Sequence, residues 1–116
     1  MGKEMIINLT KKKVLAKDVK FCKSVFSKFI GLRFSRRLRE SLVFVFEKER
    51  KVSLDMFFVF YPIDVLWLDE DKKVVGIKEN FKPFSFTFGK KAKYVLELEN
   101  GVARKTRTEI GDKIGF

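Results

Sequence analysis

Short apolar runs broken by charged clusters extend along the whole chain, and the spacing inside most runs is that of strands. Residues 5–9 read as a first strand, 11–13 as a charged turn and 14–21 as a second strand. Ser24 is a helix N-cap candidate, and Val25, Phe26, Phe29 and Ile30 after it fall on one helical face, with Gly31 as the stop. That pattern predicts one short amphipathic helix. A basic loop, 33–39, follows. Residues 41–46 read as a strand, 47–51 as a mixed-charge hairpin turn and 52–59 as the returning strand. After a bend at Tyr61-Pro62 come a strand at 63–68, a turn at 69–73 and a strand at 74–78. Phe84, Phe86 and Phe88 alternate within 80–88, the period of a half-buried strand whose aromatic face is core. A turn at 89–91, a strand at 94–98, a short helix over 99–106 capped by Asn100, and a final turn and strand over 110–116 complete the series. Together these predict one domain over residues 1–116 of the α+β class. It is mostly antiparallel, with a barrel-like sheet that hides its edges and one or two short helices.

Residues 56–69, Met-Phe-Phe-Val-Phe-Tyr-Pro-Ile-Asp-Val-Leu-Trp-Leu-Asp, are the most informative stretch. So apolar a run must be core, yet it holds a proline that cannot donate to a sheet ladder and a carboxylate, Asp64, between Ile63 and Val65. A charge in that setting needs a partner or a job.

Composition narrows the chemistry. The chain has 116 residues, 14 of them Phe, with one Cys, no His and a formal net charge of +11. The absence of His removes His-based triads and the usual zinc sites, and the lone Cys22 removes disulfides and Cys-based metal centres. Cys22 itself reads as a packing residue. No cofactor loop is present, so no cofactor or metal is expected. The run 69–71, Asp-Glu-Asp, offers too few ligands for a calcium site. No signal peptide and no apolar stretch long enough to cross a bilayer are found, which reads as a cytoplasmic monomer.

The charge is uneven. Residues 1–40 carry a net +9, 41–88 carry −1 and 89–116 carry +3. Such a field draws polyanions or small anionic ligands. It also fits a protein of a hot organism, since His and Gln are absent while Lys and Glu abound.

In order and spacing, several blocks resemble the UPF0127 (DUF192) family. They are Phe29-Ile-Gly-Leu-Arg-Phe34, Ser41-Leu-Val-Phe-Val-Phe46, the run 56–69, Lys82-Pro83, Ala92-Lys-Tyr-Val-Leu-Glu-Leu98 with Gly101, and Ile110-Gly-Asp112. The wording at 56–60 is similar to the archaeal branch. The resemblance implies a compact, mostly β domain with a barrel-like sheet and no established activity. The chain departs from the family's usual Gly-Leu-Met-Phe-Arg block by having Arg33 for the Met and Ser35 for the Arg. It also lacks the cysteines that many bacterial members carry after the strand near Val75.

Two functions of different class stand. In the first, a non-catalytic binding module holds an anionic ligand, either RNA or a small phosphate or carboxylate, on a basic face. Arg33, Arg36 and Arg37 supply guanidinium forks, and Lys90 and Lys91 supply point charges. In the second, an enzyme works through an Asp/Arg site around Asp64. The bland alternatives are a solvated loop for the arginines and a structural Asp64 that binds backbone amides at the bend. The absence of His, a metal set and a cofactor loop favours the binding module.

Overall fold

A computed structural model of the protein describes residues 5–22, 41–55, 61–82 and 86–116. The helix expected over 24–31, the arginine loop at 33–39, the apolar run at 56–60 and Phe84 lie outside the described residues.

The described residues form eight strands: β1 (Ile6–Asn8), β2 (Lys13–Ala16), β3 (Val19–Cys22), β4 (Ser41–Asp55), β5 (Ile63–Leu68), β6 (Val74–Phe81), β7 (Phe86–Glu99) and β8 (Ile114–Gly115). The one helix among them, α1 (Val102–Lys105), has four residues. The strands build a three-stranded sheet in the order β2-β1-β8 and a five-stranded sheet in the order β3-β4-β7-β5-β6. The architecture is therefore essentially all-β, which corrects the expected α+β class. The barrel is corrected too: among the described residues the five-stranded sheet is open, with β3 and β6 as its two edges. The physical reason lies in composition. Val, Ile, Phe, Tyr and Trp fit a pleated, half-buried surface, and they supply most of the apolar positions in these segments. The small sheet covers one face of the five-stranded sheet and buries its apolar side chains there without closure. Most pairings are antiparallel, but β3 runs parallel to β4.

Two expected turns do not form. Residues 47–51 lie inside β4, which continues for 15 residues, and 89–91 lie inside β7, which continues for 14. The segment Glu-Lys-Glu-Arg-Lys holds no Gly, Pro, Asn or Asp, so nothing in it sets a turn. Gly89 is buried in the strand, and its φ is not positive. In place of turns, the β4–β7 ladder carries register shifts between Val45 and Arg50 and between Val52 and Leu54. Such bulges bend a long strand pair. Conversely, the expected second strand is broken into β2 and β3 at Lys17-Asp18.

Each face of the five-stranded sheet carries its own core. Leu42, Phe44, Val52, Ile63, Val65, Trp67, Phe81, Ala92 and Val95 cluster on one face. Val43, Leu66, Leu68, Leu96 and Leu98 on the other face pack against Ile6, Leu15 and Ile114 of the small sheet. All six residues of β5 are buried, and they alternate: Ile63, Val65 and Trp67 enter one cluster, and Leu66 and Leu68 the other.

Candidate functional site

Asp64 is fully buried and, being at an even position of β5, faces the same side as Leu66 and Leu68. Its carboxylate accepts three backbone amides. Asn80 N–H lies 2.9 Å from Oδ1, and Gly101 N–H at 3.1 Å and Ala103 N–H at 2.9 Å lie against Oδ2. The last two belong to the start of α1, whose N-cap Gly101 has φ 94° and no side chain to offer. Asn100 was the expected cap, but the first turn of α1 is instead satisfied from across the fold by Asp64.

Lys90 and Lys91 lie far from that carboxylate. Beyond the stretch where β7 also pairs with β5 (94–99), β4 and β7 run on as a ribbon of two strands. There Lys51 stands directly opposite Lys91, Val52 opposite Lys90, and Arg50 opposite Ala92. Alternation puts Lys51 and Lys91 on one side of the ribbon and Arg50 and Lys90 on the other, the side of Val52 and Ala92. Lys51, Lys90, Lys91 and Arg50 are all exposed.

Lys90 is held by packing. A Cβ built on Gly76 would lie 2.6 Å from Lys90 Cγ and 3.2 Å from Trp67 Cε3. The lysine stem therefore crosses β6 at its one glycine, beside the indole, while the ammonium group keeps its water. Trp67 is fixed in turn, because its Nε1–H donates to Val52 O at 2.8 Å. Lys78 stands two residues from Gly76 on β6, opposite Val65 of the same face, and adds a further exposed cation.

Lys93 has a different task. Its Nζ donates to Phe46 O and Glu47 O, both at 2.9 Å. Those carbonyls sit where the β4–β7 register slips, so Lys93 satisfies acceptors that the ladder leaves over. Arg50 holds its guanidinium 5.8 Å from the Phe46 ring centroid. Phe86, expected on a core face, is 53% exposed at the ribbon's far end.

The structure thus brings Lys90 and Lys91 onto one ribbon with Arg50 and Lys51, residues that the composition of 47–51 places in a turn. Asp64 stands apart from all four, opposite Leu98 at the other end of β7. Arg33, Arg36 and Arg37 lie outside the described residues. Among the described residues, no group of three or more acidic or Cys side chains is placed to hold a metal ion. No helix among them is long and apolar enough to cross a membrane.

A buried polar cluster, also unforeseen, ties the small sheet to the chain's last turn. Asp112 accepts hydrogen bonds from Asn8 Nδ2 at 2.8 Å, Lys11 Nζ at 2.8 Å and Glu109 N–H at 3.0 Å. Asn8 Nδ2 also reaches Thr108 Oγ1 at 3.0 Å, and its Oδ1 accepts Lys11 N–H at 2.9 Å. Burial alone would raise the Asp112 pKa, but the donors from Asn8, Lys11 and Glu109 outweigh it and hold the carboxyl below its ordinary value. The hydrogen bond to Asp112 raises the Lys11 pKa against the opposing effect of desolvation.

Two bacterial crystal structures share the fold. A protein of unknown function from Novosphingobium aromaticivorans superposes with a TM-score of 0.82 at 20% identity, over 97% of this chain and 82% of its own. A candidate transcription regulator from Sinorhizobium meliloti gives 0.83 at 22%, over 99% and 95%. Among sequence relatives, a UPF0127 protein of Thermococcus sibiricus is 38% identical over 97% of this chain and 74% of its own length. A UPF0127 protein of Pyrococcus furiosus is 32% identical over 94% and 95%. The family model for DUF192, described as "Uncharacterized ACR, COG1430", matches residues 6–116, and the chain belongs to that family.

Proposed function

We propose that the protein is a non-catalytic binding module that holds an anionic ligand on the basic β4–β7 ribbon. The observation that carries this reading is the cross-strand pair Lys51–Lys91. With Arg50 and Lys90 on the other side, it gives this two-stranded ribbon four exposed cations. Their guanidinium and ammonium groups suit the phosphate or carboxylate oxygens of an anionic ligand. Lys90 is preorganised by its seat on Gly76, so less side-chain entropy is lost on binding. The enzyme reading has no such support. The Asp64 oxygens are occupied by three buried or half-buried amides, and no side-chain cation is among those partners.

Amide chemical-shift mapping tests the proposal, with a short single-stranded RNA and, separately, inorganic phosphate, each at two salt concentrations. Shifts at 50–52 and 90–92 that weaken with salt are expected. The same spectra read Arg33, Arg36 and Arg37 directly. Absence of shifts at the ribbon at low salt, with either probe, overturns the proposal.

A further inference from the structure

Six large apolar side chains are exposed among the described residues, and three of them, Met5, Leu9 and Val14, belong to the small sheet and its border. Ile6, Leu15 and Ile114 of that sheet point into the core. Alternation sends Ile7 and its neighbours two residues away, Met5 and Leu9, to the outer face. Ile7 lies opposite Val14 on one side and Gly115 on the other. Leu9 lies over Gly115, where an added Cβ would be 3.0 Å from Leu9 Cδ1. The outer face is therefore a continuous aliphatic surface, and Leu9 fills the depression that Gly115 would leave.

Its surroundings are cationic. Residues 5–17 contain Lys11, Lys12, Lys13 and Lys17 and no carboxylate. Lys11 is drawn inward to Asp112, while Lys12, Lys13 and Lys17 are exposed, as is Lys113 at the opposite edge.

We propose that this face docks peripherally on an anionic lipid bilayer. The aliphatic side chains would enter the boundary between headgroups and acyl chains, and the lysines would meet lipid phosphates. Three features select this occupant. Lys11 is held by Asp112 and Glu109, but Lys12, Lys13 and Lys17 are exposed on a segment with no carboxylate of its own, which complements a negative surface. The apolar groups stand above the sheet without a cleft between Leu9 and Gly115, which suits a fluid surface that needs no matching shape. A second copy of the chain would set the same lysines against each other. The surface lies on the side of the small sheet turned away from the five-stranded sheet, so it is separate from the β4–β7 ribbon.

The test is co-sedimentation of the whole protein with vesicles of phosphatidylcholine containing one-third phosphatidylglycerol, against pure phosphatidylcholine vesicles. Binding to the anionic vesicles alone is expected. It should fall about tenfold in the pair Leu9→Ser/Val14→Ser, and as far in Lys12→Glu/Lys13→Glu. The second pair keeps the test valid if the first fails to fold. The charge-matched control Lys48→Gln/Lys105→Gln, at two exposed lysines outside both surfaces, should bind as the parent does. No binding to anionic vesicles overturns the proposal. So does an equal loss in the control pair, which would mark diffuse charge attraction. Equally tight binding of polyglutamate, lost in the same variants, would also overturn it and mark an acidic protein partner.

Discussion

The carboxylate of Asp64 on β5 accepts the backbone N–H of Ala103 in α1, at 2.9 Å and 39 residues away in sequence. With Gly101 N–H on the same oxygen and Asn80 N–H on the other, one side chain joins β5 and the edge strand β6 to the helix that follows β7. Replacing Asp64 by Asn keeps the volume but turns an NH2 group toward backbone donors. Hydrogen bonds to a charged acceptor contribute about 1.5–3 kcal/mol each. Asp64→Asn should therefore lose about 3 kcal/mol or more in chemical denaturation, while the affinity of the folded protein for an anionic probe is unchanged. A variant that keeps its stability but loses an activity would restore the enzyme reading.

Asp112 and Lys11 give the pH dependence a definite sign. The folded-state pKa of Asp112 is lowered. Its stabilisation is therefore full above the ordinary carboxylate value of 3.8 and is lost as pH falls through the lower folded value. Lys11 is raised above 10.5, so its contribution is full below 10.5 and is lost as pH rises through the folded value. Thermal melts across pH should show both limbs. Asp112→Asn should flatten the acid limb and, by removing the partner, the alkaline limb as well. Lys11→Met should remove the alkaline limb and weaken the acid one. Unchanged limbs in Asp112→Asn would place the titrating groups elsewhere.

Gly76 is the one residue of β6 that leaves room for Lys90. In Gly76→Ala the new Cβ must displace the Lys90 stem at 2.6 Å and press on Trp67 at 3.2 Å. Overpacking of this kind costs about 1–3 kcal/mol, and the Trp67 bond to Val52 O resists relief. Chemical denaturation should show that loss. Affinity for an anionic probe should also drop, because Lys90 leaves its preorganised position. In the double variant Gly76→Ala/Lys90→Ala the stability loss should largely disappear, as the colliding stem is gone.

Much of the strand order was legible because periodicity reports burial directly. Residues 63–68 read as a buried strand and are one, and the following turn is set by Asp69, whose Oδ1 accepts the N–H groups of Asp71 and Lys73. The long strands were not legible. A charged stretch such as 47–51 has the composition of a turn, yet its residues continue β4 because β7 offers a partner that lies 40 or more residues away. Sequence alone carries no signal for that pairing. The same omission hid the ribbon: Lys51 and Arg50 looked like turn residues, and their approach to Lys90 and Lys91 depends on register. For Asp64, the local pattern correctly signalled a buried charge needing partners, but those partners are the amides of Asn80, Gly101 and Ala103, which carry no side-chain signature. Lys93 follows the basic pair Lys90-Lys91 closely in sequence, yet the slipped register after Val45 directs it to carbonyls.

Lys93→Met should show that distinction. The apolar stem is kept, but Phe46 O and Glu47 O lose their donor. The bond to Phe46 O is partly buried and the one to Glu47 O is exposed, so the loss costs about 1 kcal/mol. Denaturation should reveal it, with the salt dependence of anion binding retained. A variant as stable as the parent, with a reduced salt slope, would return Lys93 to the ligand-facing set.

The pair Lys51→Gln/Lys91→Gln separates function from fold by opposite signs. If the two ammonium groups serve only the ladder, their loss should leave stability level or lower it. Removing a like-charge cross-strand pair instead predicts a gain, about 0.2–1 kcal/mol at low salt, that shrinks as added salt screens the repulsion in the parent. Binding should move the other way. With single-stranded RNA, each lost phosphate contact reduces the slope of log affinity against log salt by about 0.7, so losing two contacts should flatten it by about 1.4. Stability that rises while the slope flattens identifies charges kept for a ligand. Stability that falls with the slope intact would show that the ribbon uses these lysines to hold itself together.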